Sequence, residues 1–126
     1  MKKRTLVIGD IHGGLSALKQ VLDRANRTSD DTLIFLGDYV DGWSQSFQVI
    51  QHLIELNKQN HCIFIKGNHD AWCEDWLSTG KMENTWLVHG GDLTVKSYHQ
   101  ANKQLLNEHL AFLIHTGEIR GRVPDV

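Results

Sequence analysis

Thr32-Leu33-Ile34-Phe35-Leu36-Gly37-Asp38-Tyr39-Val40-Asp41-Gly42 is the stretch on which the fold turns. Apolar and β-branched residues run unbroken into Gly37, and a short run of that kind closed by a turn signal reads as a buried strand. The same figure stands on either side. Thr5-Leu6-Val7-Ile8 ends in Gly9-Asp10, and Cys62-Ile63-Phe64-Ile65 ends in Lys66-Gly67-Asn68. Between the runs, Leu15, Leu18, Val21, Leu22 and Ala25 recur at helical spacing. Phe47, Ile50, Leu53, Ile54 and Asn57 do the same, with the apolar face fading at its end. A short helix follows through Trp72, Trp76 and Leu77. Strands alternating with amphipathic helices predict an α/β fold, a βαβαβ parallel sheet with flanking helices on both faces. Right-handed crossovers then set all three strand C-termini along one edge, where ligands of open α/β sheets bind.

Beyond residue 80 the pattern is weaker. Trp86-Leu87-Val88-His89-Gly90-Gly91 reads as a short strand and turn, and Leu105, Leu106, His109, Leu110 and Leu113 as a late helix. No repeat or linker divides the chain, so residues 1–126 are expected to form a single domain, with 118–126 a frayed tail. Lys plus Arg (13) against Asp plus Glu (15) gives a net charge of −2 without a basic stripe, which disfavours nucleic acid as a partner. No apolar run is long enough for a membrane span, and the basic start meets Gly9 and Asp10 too soon for a signal peptide. Cys62 and Cys73 make neither a disulfide framework nor a metal spacing, so reduced thiols and a cytoplasmic location are expected.

The chemistry gathers in three loops: Gly9-Asp10-Ile11-His12-Gly13, Gly37-Asp38-Tyr39-Val40-Asp41-Gly42 and Gly67-Asn68-His69-Asp70. Each offers carboxylate, imidazole or amide donors of the kind that suit Mn, Fe or Zn. Asp10 and His12 lie two apart, so an extended loop would point both to one side. The two oxygens of Asp38 can bridge two ions, and Asn68 adds a neutral oxygen that leaves an ion Lewis-acidic. Two such ions clamp a phosphate and activate water between them. A lone Asp after a strand is ordinarily a turn former or helix cap. Three successive strands ending in Gly and a ligand-type residue, on the one edge where they converge, are not explained that way. His52, His61, His99 and His109 show no partner pattern and receive no role. A Rossmann nucleotide site is excluded, because Gly9, Gly13 and Gly14 lie at the wrong offsets for G-x-G-x-x-G.

Together these blocks resemble the three signature motifs of the calcineurin-like metallophosphoesterases, closest to the bacterial serine/threonine phosphoprotein phosphatases, over residues 5 to 113. Trp86-Leu87-Val88-His89-Gly90-Gly91, with Thr94, Ser97 and Tyr98, resembles a further segment of those bacterial enzymes. The resemblance implies the N-terminal half of a four-layer sandwich. It also implies hydrolysis of a phosphoprotein or small phosphoester by metal-activated water, with two divalent ions, manganese foremost. Asp10 and His12 would hold the first metal, Asp38 would bridge and Asn68 would hold the second. His69 would protonate the leaving alkoxide with Asp41 orienting it, although Asp41 also reads as a cap for the following helix. Dinucleoside polyphosphate hydrolysis is the near alternative; a metal-binding or interaction module without catalysis is the alternative from another class.

The chain departs from the family at two points. The second motif commonly continues Asp-Arg-Gly, with the Arg gripping substrate phosphate; here Gly42 and Trp43 follow Asp41. Affinity must then come from the metals, Lys66 or another residue, and Trp43 is expected to act as a hydrophobic lid on a helix. The family also draws metal-binding histidines from its second half, where this chain is short. His89 and His115 are the two candidates to stand in. A half sandwich leaves one sheet face without its partner, so self-association is expected.

Overall fold

The structure is a computed structural model that describes residues 3–118. Three strands, β1 (Thr5–Ile8), β2 (Thr32–Phe35) and β3 (His61–Lys66), pair in parallel in the order of the chain, with Leu6, Leu33 and Cys62 in one row and Val7, Ile34 and Ile63 in the next. Helices α1 (Leu15–Arg24) and α2 (Ser46–Gln59) are the two crossovers, and α3 (Asn68–Thr79) leaves β3 directly. The expected βαβαβ order is present.

The covering of the sheet differs from expectation. Leu6, Ile8, Leu33, Phe35, Cys62 and Phe64 join a core with Leu18 and Leu22 of α1 and Val49, Ile50, Leu53 and Leu56 of α2. Val7, Ile34 and Ile63 lie outside that core, and Val7 is 59% exposed. Among the described residues the helices therefore lie on one face only. The reason is topological: with strand order β1-β2-β3, two right-handed crossovers step in the same direction and land on the same side. Helices on both faces require the strand order to reverse, as in doubly wound sheets.

The second half is more helical than expected. Trp86–Gly91 is not a strand and turn: a short helical turn, α4 (Asn84–Trp86), leads through a kink at His89 and Gly90 into α5 (Asp92–Ser97). Helix α6 (Lys103–Ile114) matches the late apolar period and packs on α3. Phe112 meets Phe64 edge-on at 4.8 Å between ring centroids, and Phe64 stacks on Phe35 at 5.1 Å. A two-residue strand, β4 (Gly117–Glu118), then pairs in parallel with Ile65–Lys66. Glu118 is thus paired rather than frayed, and the rest of the expected tail lies outside the described residues.

Candidate functional site

The three strand ends meet as the crossovers require, and the loops that follow are bonded to one another through their backbones. Ile11 and His12 donate to the carbonyl of Asp38 at 3.2 and 2.9 Å, Gly13 donates to Tyr39 O at 2.8 Å, and Trp43 returns a bond to His12 O at 2.8 Å. The first loop is a turn rather than the extended segment expected. His12, Asp38 and Asp41 all hold left-handed φ of 48°, 55° and 70°. Non-glycine residues in that region cost free energy and tend to collect where function demands a particular side-chain direction.

Asp10, His12 and Asp38 come together, with one ligand atom from each lying within 4.8 Å of the others. The Nδ1–H of His12 donates to Val40 O at 3.0 Å, which leaves Nε2 as a lone-pair donor. That nitrogen sits 3.7 Å from Asp10 Oδ2. Two electron-rich atoms facing each other, with a second carboxylate beside them, are the donor set of a divalent cation; the residues present fit a metal. Asn68 is the first residue of α3 and is exposed. Its neighbours hold it beside Asp38: the N–H of His69 donates to Asp38 Oδ1 at 3.2 Å. At Gly67 a Cβ would stand 2.2 Å from the same oxygen, so only glycine allows this approach.

His69 stands opposite, its ring edge-on to that of His12 at 5.2 Å between centroids. Its Nδ1–H donates to Asp41 Oδ2 at 2.8 Å, and the side chain remains 24% exposed. Asp41 does not cap α2, whose N-cap is Gln45. Its carboxylate is buried and also accepts from Trp86 Nε1 at 2.6 Å and Thr94 Oγ1 at 2.5 Å.

Asp70, which the motif contains but to which no role was expected, is fully buried and ties the second loop to the third. Its carboxylate accepts from the N–H groups of Asp38 (2.6 Å), Tyr39 (2.8 Å) and Gly67 (2.9 Å). Burial pushes this carboxyl up to about 7, against the opposing pull of the three donors. Its place as N3 of α3, after a glycine N-cap, was the available signal. Thr94 stood in the further segment that resembles the bacterial enzymes but with no role attached, and Ser46 carried no signal beyond being a polar residue at the start of a helical period.

Other candidates lie elsewhere or are already engaged. Lys66 Nζ pairs with Glu74, so it offers no free cation for phosphate. Trp43 is 69% exposed and is no lid on a helix. At Gly42, φ is 113° and a Cβ would meet His12 Cβ at 3.2 Å, so this loop conformation has no place for a longer residue. His89 is exposed and packs against Trp72 at 6.2 Å, on a ring that also meets His69 at 5.2 Å. His115 caps α6, with Nδ1 bonded to Ala111 O, and lines a groove between α2, β3 and α6. Neither belongs to the Asp10–His12–Asp38 group among the described residues.

The fold and the site together define an α/β protein with a metal-type Asp/His cluster at the C-terminal edge of a parallel sheet. The chain belongs to the calcineurin-like phosphoesterase family, whose model matches residues 3–122. It is 29% identical over 107 residues to the asymmetrical bis(5'-nucleosyl)-tetraphosphatase PrpE of Anoxybacillus flavithermus, covering 78% of this chain and 42% of that one. It is 33% identical over 105 residues to serine/threonine-protein phosphatase 2 of Salmonella typhimurium, covering 79% of this chain and 46% of that one. Among solved structures, a putative diadenosine tetraphosphatase aligns with a TM-score of 0.62 at 22% identity, over 89% of this chain and 42% of that one. The chain thus spans less than half the length of these relatives.

Proposed function

We propose that this protein hydrolyses phosphoesters with the help of divalent metal ions, manganese foremost, acting on a phosphoprotein or a small phosphomonoester. The carrying observation is that the Asp10–His12–Asp38 group and the His69–Asp41 pair meet at one strand-end edge, with the His12 and His69 rings 5.2 Å apart. Asp10 and His12 would hold a first ion, Asp38 would bridge to a second, and Asn68 would hold that second ion. Bound ions would supply Lewis acidity to the phosphoryl oxygens and acidify the attacking water. His69 holds a proton at Nε2 for the leaving oxygen, and Asp41 keeps the opposite nitrogen protonated and the ring in place. No side-chain nucleophile is needed. The free thiols Cys62 and Cys73 support a cytoplasmic location, and the uncovered sheet face supports self-association.

A second reading, dinucleoside polyphosphate hydrolysis, is favoured by the likeness to the bis(5'-nucleosyl)-tetraphosphatase of Anoxybacillus flavithermus and by Trp43, exposed beside His12 and free to stack on a nucleobase. Turnover of para-nitrophenyl phosphate with added manganese tests the main reading. Asp38→Asn is expected to lose at least about 100-fold in kcat on this substrate, and His69→Asn about as much on phenyl phosphate, whose more basic leaving oxygen needs the proton. A faster rate on diadenosine tetraphosphate than on a phosphoserine peptide selects the second reading. No metal-stimulated rate on any of these substrates, with manganese still raising the Tm, leaves a binding module instead.

A further inference from the structure

The segment 86–94 is needed by neither the metal group nor the proton donor directly, yet it closes over Asp41. Trp86 is 1% exposed and Thr94 is fully buried. Oδ2 of Asp41 is shared between the Nδ1–H of His69 and the indole N–H of Trp86, and Oδ1 takes the hydroxyl proton of Thr94. The same Thr94 oxygen accepts the backbone N–H of Asp41 at 3.0 Å and lies 2.9 Å from Ser46 Oγ, which also receives that N–H at 3.1 Å. Carboxylate and backbone of one residue are thus held by the same hydroxyl. With both oxygens engaged, rotation of the carboxyl group breaks at least one charge-assisted bond, and such bonds are the stronger kind.

The two glycines between Trp86 and Thr94 make the contact possible. Gly90 has a φ of 103°, and a Cβ there would stand 2.8 Å from the nitrogen of Gly42 and 3.2 Å from Asp41 Cβ. At Gly91 a Cβ would stand 2.5 Å from the Trp86 ring. The chain kinks at His89 and Gly90, where φ/ψ leave the helical region, and this kink brings both glycines against their neighbours. His89-Gly90-Gly91 is therefore a packing device pressed onto Asp41 and Trp86.

We propose that Trp86 and Thr94 are positioning residues for leaving-group protonation: they fix the Asp41 carboxylate, and through it the ring of His69. The inference rests on the hydrolase reading above. Loss of either bond leaves Asp41 in place but lets its carboxylate turn, so the His69 ring wanders and its proton is misaimed. That harms a substrate in proportion to how badly its leaving group needs a proton.

The test compares para-nitrophenyl phosphate, whose leaving group departs readily as the anion, with phenyl phosphate, which has nearly the same shape but a more basic leaving oxygen. Thr94→Val keeps the shape and removes the donor, and Trp86→Phe removes the donor while keeping a smaller aromatic ring in place. Each is expected to lower kcat on phenyl phosphate by about 50-fold or more and on para-nitrophenyl phosphate by less than about 5-fold, with KM little changed, since general acid catalysis contributes roughly 100-fold and upward. Thr94→Ser, which restores the hydroxyl, is expected to recover most of the loss. A merely structural role would reduce the folded fraction and lower both rates together. Equal losses on the two substrates, or no rescue by Thr94→Ser, in an active wild type overturn this proposal and leave the hydrolase reading standing. A wild type without metal-stimulated turnover overturns both.

Discussion

Gly67 carries more of the site than any ligand does, because it decides how close the second and third loops come. Its φ of −87° suits any residue, so its requirement is one of space alone. A methyl group at that position would stand 2.2 Å from Asp38 Oδ1 and 2.6 Å from Asp38 N. Neither atom has room to retreat, since the N–H of Asp38 is bonded to Asp70 and its Oδ1 to the N–H of His69. Gly67→Ala is therefore expected to cost about 1–3 kcal/mol, the usual range for overpacking a close-packed site. It should also displace the bridging carboxylate, so the rise in Tm on adding manganese should shrink or vanish. Urea denaturation with and without manganese checks both; an Ala variant with the full manganese effect would show that Asp38 is not where the ions bind.

At the scale of elements, the parts whose signal is local were the legible ones. β1 and β2 coincide with their apolar runs to within a residue, because a continuous apolar run bounded by glycine leaves few alternatives. The loop residues were legible for the same reason: Asp10, His12 and Asp38 follow strand ends that topology forces together. Trp86–Gly91 does not form the expected strand because Trp86 faces Asp41 and Trp76 of α3 rather than a sheet, and a segment kinked at Gly90 has no period to recognise. His109 was passed over because a histidine on an apolar helix face announces nothing about its partners. In α6 it is fully buried, stacked on Phe47 of α2 at 4.6 Å, accepting from Tyr98 Oη at Nδ1 and donating from Nε2 to Gln51. Burial lowers its pKa from 6.5 to about 4. The unfolded chain thus takes up a proton below 6.5 that the folded chain refuses until about 4. This contribution to stability is complete above pH 6.5 and is lost as the pH falls toward 4, by at most about 3 kcal/mol. His52 is shifted the same way by burial and adds to the slope. Urea midpoints at pH 7, 5.5 and 4.5 are expected to fall for the wild type and to fall less steeply for His109→Gln. Parallel lines would place the pH dependence elsewhere.

For the whole molecule, the consequence of stepping β1-β2-β3 in one direction is a sheet with two unlike faces. One carries α1 and α2 over Leu33 and Phe35, both fully buried; the other carries Val7, Ile34 and Ile63, with Val7 59% exposed. The two-residue alternation extends that second face into Leu36, which is 44% exposed. Contiguous apolar surface of this kind seeks cover, whereas single exposed apolar residues do not. The chain as it stands is therefore expected to bind a hydrophobic dye in its native state and to sediment increasingly as an oligomer with rising concentration. Val7→Thr combined with Ile34→Thr keeps the β-branched shape that strands favour while wetting the face, so dye binding and association should both fall without loss of the metal site. The metal loops lie at the sheet's edge rather than on this face, so the manganese shift in Tm should survive the double substitution and serve as the control. A monomer at all concentrations with no dye signal would mean that the face is not open in solution, and the one-sided sheet would then need another explanation.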